Sequence, residues 1–289
     1  MIEERGEVDP PGALDRAALL CAAAHVGVQI ADEQVALLER HAEALVEWNR
    51  RLNLTRVTDQ RGVAVRHFAD SLVCLGAAPG HAQTETAPAL GEPETAPAVG
   101  APGTAPGHGA PETMAERGDG ALRCIDVGSG AGLPGIPLAV LRPAWQVTLL
   151  EATGKKARFL EQVVTDLALS NVGVIARRAE ELGRDDRHRE SYDLTVARAV
   201  GDTAVLAEYC LPLLRVGGVM LALKGASAPE EAARARPAIE LLGGRVDEVR
   251  PYQLPGVPGA RHLVRISKVA PTPGKYPRRP GVPRRKPLA

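Results

Sequence analysis

Apolar residues follow a helical spacing in the first quarter of the chain. They recur at three- and four-residue steps over residues 14–54 and again over 59–75, which is the spacing of amphipathic helices. Asp32 stands where the long helix begins and is predicted to be its N-cap. Asn49 interrupts the apolar face of that helix, so its side chain should cap or bridge another group. Residues 1–75 are therefore predicted to form an N-terminal helical region.

Short apolar runs alternate with helical patterns after residue 121. Strands are predicted at 122–127, 146–150, 171–177, 192–197, 218–223, 245–252 and 262–269, and helices at 136–141, 154–169, 203–214 and 229–242. Alternating strands and helices indicate a mostly parallel sheet. Residues 255–260 join the last two strands with no helix between them, which predicts a hairpin and one late antiparallel strand. The predicted fold class is therefore α/β and Rossmann-like.

The segment 76–121 differs in composition from the regions on either side. A nine-residue pattern repeats as ETAPALGEP from Glu85, ETAPAVGAP from Glu94 and GTAPGHGAP from Gly103. Bulky apolar residues are almost absent, so the segment buries too little surface to offset the entropy lost on ordering. We predict a disordered insertion, with a docking strip for a partner as the less favoured alternative. It separates the helical region from a cofactor domain at 122–270, which a basic tail at 271–289 follows.

Composition narrows the class of protein without identifying it. Apolar residues make up 45% of the 289 residues and aromatic residues only 3%, so the cores should be aliphatic. The formal net charge is zero, which does not by itself indicate a nucleic-acid partner. The four cysteines lie far apart and form no metal-ligand pattern, so we expect no metal and a reduced, cytoplasmic location. We expect neither export nor a membrane span, because no signal pattern or long apolar run is present.

The stretch DVGSGAGLPG, residues 126–135, joins a predicted strand to a predicted helix. A strand, a glycine-rich turn and a helix in that order cradle nucleotide cofactors, because glycine lets the backbone turn sharply beside the ligand. Gly128, Gly130 and Gly132 form G-x-G-x-G, while Gly130, Gly132 and Gly135 also form the dinucleotide fingerprint G-x-G-x-x-G. The first pattern starts directly after the strand and resembles motif I of the S-adenosylmethionine methyltransferases. It is therefore favoured over a dinucleotide site.

An acidic residue follows the second predicted strand of the cofactor domain. Glu151 lies 19 residues after Gly132, about the spacing at which a carboxylate binds the ribose hydroxyls of a nucleotide. The alternative is an acid at a helix N-terminus that interacts with the helix dipole alone. Because the glycine turn lies upstream, we favour ribose binding.

Three further segments carry a resemblance to a specific family. They are WNRRLNLT at 48–55, RHFADSL at 66–72 and VARAV at 196–200. Together with the glycine turn, and in this order, they resemble the RsmG (GidB) methyltransferases of bacterial 16S rRNA over residues 14–75 and from 121 to the end. The resemblance implies the S-adenosylmethionine-dependent methyltransferase fold with S-adenosylmethionine as cofactor. It also implies methyl transfer to N7 of a guanine in 16S rRNA, close to the decoding region.

The same resemblance implies which positions bind the cofactor. Contacts to its methionine part are implied at Gly128 and Leu133, with Gly130 in the same turn. Contacts to ribose and adenine are implied after the second and third strands, at Glu151, Ala152, Thr153, Ala179 and Glu180. Arg198 corresponds to an arginine near both cofactor and substrate.

The chemistry of guanine N7 sets what the remaining site residues must do. N7 carries an exposed lone pair and no proton, so no general base is expected, and the enzyme has to position and desolvate the reactants. Arg198 and Lys224 end predicted strands at the edge where open α/β sheets bind ligands, and they are the candidate positioning residues. For Arg198 the alternative is a structural ion pair, for example with Asp126 or Glu151.

Contacts to RNA are expected from two parts of the chain. In the helical region the candidates are Asn49, Asn53 and His67, although Asn49 could instead pin this region to the cofactor domain and His67 could be a structural donor. In the tail, cations without any acidic residue suit phosphate binding, and prolines should keep the tail extended. The tail candidates are Lys275, Arg278, Arg279, Arg284 and Arg285. A merely solvated chain end is the alternative.

The expected partner is 16S rRNA, within the 30S subunit or an assembly intermediate, and the protein is expected to be a monomer. A methyltransferase that acts on a different RNA or on a small molecule is the second hypothesis. A module that binds RNA or a nucleotide without catalysis is the third.

Overall fold

A computed structural model describes residues 14–79, 121–198 and 201–288 of the chain. A seven-stranded sheet in the order β3-β2-β1-β4-β5-β7-β6 forms its centre. The strands are β1 (Arg123–Val127), β2 (Gln146–Leu150), β3 (Val172–Ile175), β4 (Tyr192–Arg198), β5 (Leu214–Lys224), β6 (Gly244–Tyr252) and β7 (Arg261–Lys268). The helices are α1 (Arg16–His25), α2 (Asp32–Leu52), α3 (Gln60–Gly62), α4 (Asp70–Leu72), α5 (Gly135–Leu141), α6 (Gly154–Asp166), α7 (Ala179–Leu182), α8 (Thr203–Cys210), α9 (Ala228–Leu241) and α10 (Val282–Arg285).

The sheet has the direction pattern that the sequence predicts. Strands β1 to β5 pair in parallel, whereas β7 lies antiparallel between β5 and β6. The hairpin between β6 and β7 has no crossover helix, and such a connection makes neighbouring strands antiparallel. The α/β Rossmann-like methyltransferase fold with one late antiparallel strand is therefore confirmed, as is the helical region before it.

The helical region differs in detail from its prediction. The N-cap of α2 is Ala31, and the side chain of Gln34 accepts the Ala31 N–H, so the predicted N-cap at Asp32 is wrong. Asp32 is instead the first helical residue and pairs with Arg16 across to α1. The predicted helix at 59–75 changes its winding along its length, from α3 through a π-helical stretch at Val63–Ala69 and α4 to a 3₁₀ stretch at Val73–Ala77. These changes are invisible to a periodicity that assumes one helix type.

Helices cover both faces of the sheet, as expected for strands that are apolar on both sides. The N-terminal helical region joins α5 and α6 in one core, with Leu19, Leu38 and Phe68 fully buried there. Helices α8 and α9 form the other core with Leu206 and Ile239 among its buried residues. The aliphatic cores follow from the low aromatic content. Three of the four cysteines are buried as free thiols, and Cys21 is exposed.

The C-terminal tail is folded, in contrast to the predicted extended chain. Tyr276 is 7% exposed and packs with the α8–α9 core, and α10 ends the described chain. Arg184 donates to the carbonyl oxygens of Lys275 and Pro277, and Arg189 donates to that of Tyr276. The prolines do not prevent packing, because side chains from the domain satisfy the carbonyl groups of the tail.

The repeat-rich insertion predicted at 76–121 lies outside the described residues except for its ends, so the division of the chain into domains stays a prediction. Among the helices in the described ranges, none has the length and apolar character needed to cross a membrane.

Candidate active site

The glycine turn after β1 has the backbone that only glycine adopts easily. Gly128, Gly130 and Gly132 have φ angles of 78°, 56° and 80°. A Cβ atom at Gly132 would lie 2.3 Å from Cδ1 of Ile136, so any other residue here would displace the buried Ile136 as well as strain the backbone. The amide of Gly135 donates to Oδ2 of Asp126 at 2.9 Å, which fixes the turn against the strand it leaves. Burial raises the pKa of Asp126 to about 7.

The helical region also holds the glycine turn, through a residue that the sequence analysis missed. His41, on the buried face of α2, lies with Nε2 3.0 Å from the carbonyl oxygen of Ala131. Burial lowers the pKa of His41 to about 4, so the ring is neutral near pH 7 and Nε2 is the donor in this bond. A histidine on an otherwise apolar helix face was the available signal, but its partner lies 90 residues away.

Glu151 closes the turn from the end of β2. Its Oε2 accepts the amide of Gly130 at 3.0 Å and its Oε1 accepts the amide of Thr153 at 2.7 Å. Glu151 is 7% exposed and lines the cleft. Each carboxylate oxygen has two lone pairs, so each can still accept a hydroxyl after these bonds. The predicted cofactor positions Gly130, Glu151 and Thr153 are thereby brought together.

A narrow slot of about 120 Å³ continues from this carboxylate. It is lined by Val127, Gly128, Leu150, Glu151, Ala152, Arg177, Arg178, Ala179, Glu180 and Tyr209. Its apolar side chains and its one aromatic residue suit a flat, neutral heterocycle such as adenine. The glycine turn, a carboxylate with free lone pairs and this slot therefore fit the three parts of S-adenosylmethionine. The predicted positions Ala152, Ala179 and Glu180 lie in the slot, and Leu133 lines the adjoining cleft.

Arg198 does form an ion pair, but its partner is Asp70, which the sequence analysis did not name as a candidate. Its Nη1 lies 3.3 Å from Oδ2 of Asp70 and 3.1 Å from the carbonyl oxygen of Arg66. Asp70 is almost fully buried, and its Oδ1 accepts from the Tyr252 hydroxyl at 2.7 Å and from Arg261 at 3.0 Å. The suggested pair with Asp126 or Glu151 is not what the structure shows. Asp70 instead links α4, the end of β4 and the β6–β7 hairpin.

His67 lies between this cluster and the loop after α2. Its Nε2 is 2.7 Å from the Thr55 hydroxyl, and its Nδ1 is 3.5 Å from Nη2 of Arg198. Burial, and next the charge of Arg198, lower the pKa of His67 to about 3. The ring is therefore neutral near pH 7 and hydrogen-bonded within the protein.

The two asparagines shape the same loop. The Asn49 side chain accepts the amide of Thr55 and donates to its carbonyl oxygen, at 2.8 and 2.9 Å. Asn53 ends α2 with a positive φ of 49°. Asn49 thus bridges a local loop, and both of these bonds stay within the helical region.

Lys224 is held at the end of β5. Its ammonium group donates to the carbonyl oxygen of Gly201 at 2.7 Å and pairs with Glu231 at 2.6 Å. The side chain lines the cleft together with Arg198.

The five basic tail candidates fall into two groups. Arg278 is bound to the buried carboxylate of Glu208. The remaining four are exposed, and one of these, Arg284, lines the cleft. They are Lys275, Arg279, Arg284 and Arg285.

One open cleft of about 800 Å³ lies between the helical region and the carboxyl edge of the sheet. It is lined by the glycine turn, Glu151, His67, Arg198, Lys224 and Arg284, whereas Asn49, Asn53 and the other four tail candidates are not among its lining residues. Its cationic lining residues are Arg66, Lys156, Arg198, Lys224, Arg261 and Arg284. Its carboxylates, Asp70 and Glu151, are already hydrogen-bonded within the protein. The cleft therefore combines a nucleotide cradle with a wall suited to a polyanion.

Comparison with known proteins agrees with this geometry. The family described as "GidB: rRNA small subunit methyltransferase G" matches residues 112–264. A "Ribosomal RNA small subunit methyltransferase G" from Roseiflexus sp. (strain RS-1) is 44% identical over 91% of this chain and 95% of its own length. The protein of that name from Pelotomaculum thermopropionicum is 43% identical over 92% of this chain and 95% of its own length.

Solved structures are more distant. A precorrin-6y C5,15-methyltransferase from Geobacter metallireducens GS-15 is similar over 51% of this chain and 80% of its own, with 17% identity and a TM-score of 0.41. A score this low carries no argument about function. The sequence relatives are decisive, because their similarity spans almost the whole of both chains. The chain belongs to the rRNA small subunit methyltransferase G (GidB) family and is an S-adenosylmethionine-dependent methyltransferase.

Proposed function

We propose that the protein methylates N7 of a guanine in 16S rRNA, near the decoding region, on the 30S subunit or an assembly intermediate. The observation that carries this proposal is the joint cleft, in which the cofactor cradle opens onto a cationic wall large enough for a nucleotide and its phosphates. A small-molecule substrate would need no such wall. Action on ribosomal subunits would place a monomeric enzyme in the cytoplasm.

The cofactor would be held by backbone and carboxylate groups. The turn at Gly128 would face its methionine part, Glu151 would accept the ribose hydroxyls, and the slot beside Ala179 would take the adenine. Bound in this way, S-adenosylmethionine supplies a methyl group on a positively charged sulfur. Hydrogen bonds with Glu151 and His41 hold the glycine turn in place at the methionine end of the site.

The residues around the cleft suit a nucleophile that needs no deprotonation. His67 is neutral near pH 7 and already bonded, and the Asp70 carboxylate is occupied by two arginines and a tyrosine. Arg198 and Lys224 are held at the ends of neighbouring parallel strands, where they would orient the base or its phosphate. The lone pair of N7 would attack the methyl carbon as the carbon–sulfur bond breaks, and no proton would have to leave N7.

Arg284 would contact RNA at the cleft, and the other exposed cations of the tail, Lys275, Arg279 and Arg285, would contact it outside the cleft. His67 would shape the wall of the cleft, and Asn49 and Asn53 would shape the loop beside it. Arg278 has a different task, because its guanidinium is committed to Glu208.

The test is transfer of tritium from methyl-labelled S-adenosylmethionine to 30S subunits from cells that lack the enzyme. The rRNA is digested to nucleosides, and the label should be recovered as 7-methylguanosine. Subunits from cells that contain the enzyme are the control and should accept little label, since their site is already methylated. Label in another nucleoside would disprove the N7 assignment, and label absent from RNA would disprove the rRNA substrate.

A further inference from the structure

The C-terminal tail is fixed to the domain by two buried carboxylates. Glu208 on α8 is fully buried, and Arg278 donates to it through its backbone amide, Nε and Nη2 at 2.6–3.1 Å. Glu180 on α7 is 3% exposed, and its Oε1 accepts the amide of Gly281 at 2.8 Å. Glu208 is thus paired with a cation and multiply bonded, which holds it strongly because an unpaired buried charge is costly, whereas Glu180 accepts one backbone amide from the tail.

One of these carboxylates lines the adenine slot, and the other is next in sequence to a residue that does. Glu180 itself lines the slot, next to Ala179. Glu208 directly precedes Tyr209, whose ring lines the slot from α8. The tail therefore contacts the two helices that carry the slot residues Glu180 and Tyr209. If the tail were removed, Glu180 and Glu208 would lose these partners and would have to turn toward water or draw water in.

The α10 part of the tail reaches the cleft that adjoins the slot. Arg284, on α10, lines the cleft together with Glu151 and Ala152, at the end where the ribose would bind. Tyr276 and Pro277 pack at the other end of the tail, the latter 3.0 Å from the position of a Cβ atom on Gly183 after α7. The tail thus runs from the core, past α7 and α8, to the rim of the cleft.

From these contacts we infer that the C-terminal tail is a structural wall of the cofactor site, and that tail docking and S-adenosylmethionine binding stabilise each other. By linkage, a ligand that requires the docked tail also holds it docked. The tail then affects methylation through the cofactor, in addition to any charge that it offers to RNA. This inference does not depend on which base is methylated.

The test compares two neighbouring arginines of the tail. Arg278→Ala removes the partner of Glu208, whereas Arg279→Ala removes the same charge from an exposed side chain. Affinity for S-adenosylhomocysteine is measured by calorimetry on the full chain without RNA. We expect Arg278→Ala to raise the Kd at least about tenfold and Arg279→Ala to leave it within about twofold. Equal, unchanged Kd values for both variants would show that the tail is not part of the cofactor site.

A second measurement uses the wild-type protein, so it does not depend on whether a variant folds. Trypsin can cut the tail after Lys275, Arg278, Arg284 and Arg285 once the tail undocks. Saturating S-adenosylhomocysteine should slow these cuts several-fold, as followed by mass spectrometry, with cutting of a denatured substrate protein as the control for the protease. Cutting rates in the tail that do not change with the ligand would overturn the inference. Failure of either test would leave the N7 assignment untouched, since that depends on the labelled nucleoside.

Discussion

We expect a small substitution at Asp70 to destabilise the site more than a similar substitution elsewhere. Its carboxylate accepts hydrogen bonds from Arg198, Tyr252 and Arg261, and its side chain is only 2% exposed. Asp70→Asn keeps the volume but removes the charge that two arginines share. The new amide also places N–H donors where the structure supplies donors already.

The expected cost follows from the burial of the partners. The Arg198 and Arg261 side chains are 15% and 24% exposed, so water screens them poorly once their counter-charge is lost. Removing one member of a buried ion pair costs about 3–5 kcal/mol. Because the tyrosine can still donate to the amide oxygen, we expect about 3 kcal/mol. For a chain of this size that lowers Tm by about 6–12 °C.

The assay is scanning calorimetry of the wild type, Asp70→Asn and the control variant Asp32→Asn. Asp32 makes the same type of pair with Arg16, but these side chains are 86% and 45% exposed. A surface pair is worth about 0–1 kcal/mol, so the control should melt close to the wild type. If the Tm of Asp70→Asn is as close to that of the wild type as the Tm of Asp32→Asn is, the Asp70 ion pairs do not stabilise the fold as their burial suggests.

Three further outcomes are expected. Arg198→Ala should fold but lose about 10–100-fold in turnover on 30S subunits, the worth of a charged hydrogen bond, and wild-type turnover would show that the arginine is only structural. Gly132→Ala should weaken cofactor binding measured by calorimetry, because its Cβ would displace Ile136 and its φ of 80° is strained for alanine, whereas Gly154→Ala should bind normally, since nothing lies within 4 Å of its added Cβ. His41 has a pKa of about 4 in the folded protein, below the ordinary 6.5, so the unfolded chain takes up its proton first and the contribution of His41 to stability falls as pH drops from about 6.5 to 4. His41→Gln should flatten that decline in urea-unfolding curves, and an unchanged pH profile would refute the burial of a neutral ring.

The sequence by itself determined the fold class, the position of the cofactor turn and the family. Each depends on patterns within short windows of the chain. The alternation of strands and helices after residue 121 predicts a parallel sheet, and the missing helix between β6 and β7 predicts its antiparallel strand. Gly128, Gly130 and Gly132 reveal the turn because no other residue adopts their backbone easily.

Only the tertiary structure decided which polar groups meet. Arg198 bonds to Asp70, 128 residues earlier, and not to the nearer acids at the ends of β1 and β2. Arg278 bonds to Glu208 across 70 residues, which packs onto the domain a tail that the sequence predicted to be extended. No local pattern specifies such pairs, because the sequence around a charged residue does not distinguish a side chain in solvent from one in a buried pair. The packing of the helices on the sheet selects the partners, since a buried charge can pair only with the opposite charges that the fold brings within reach.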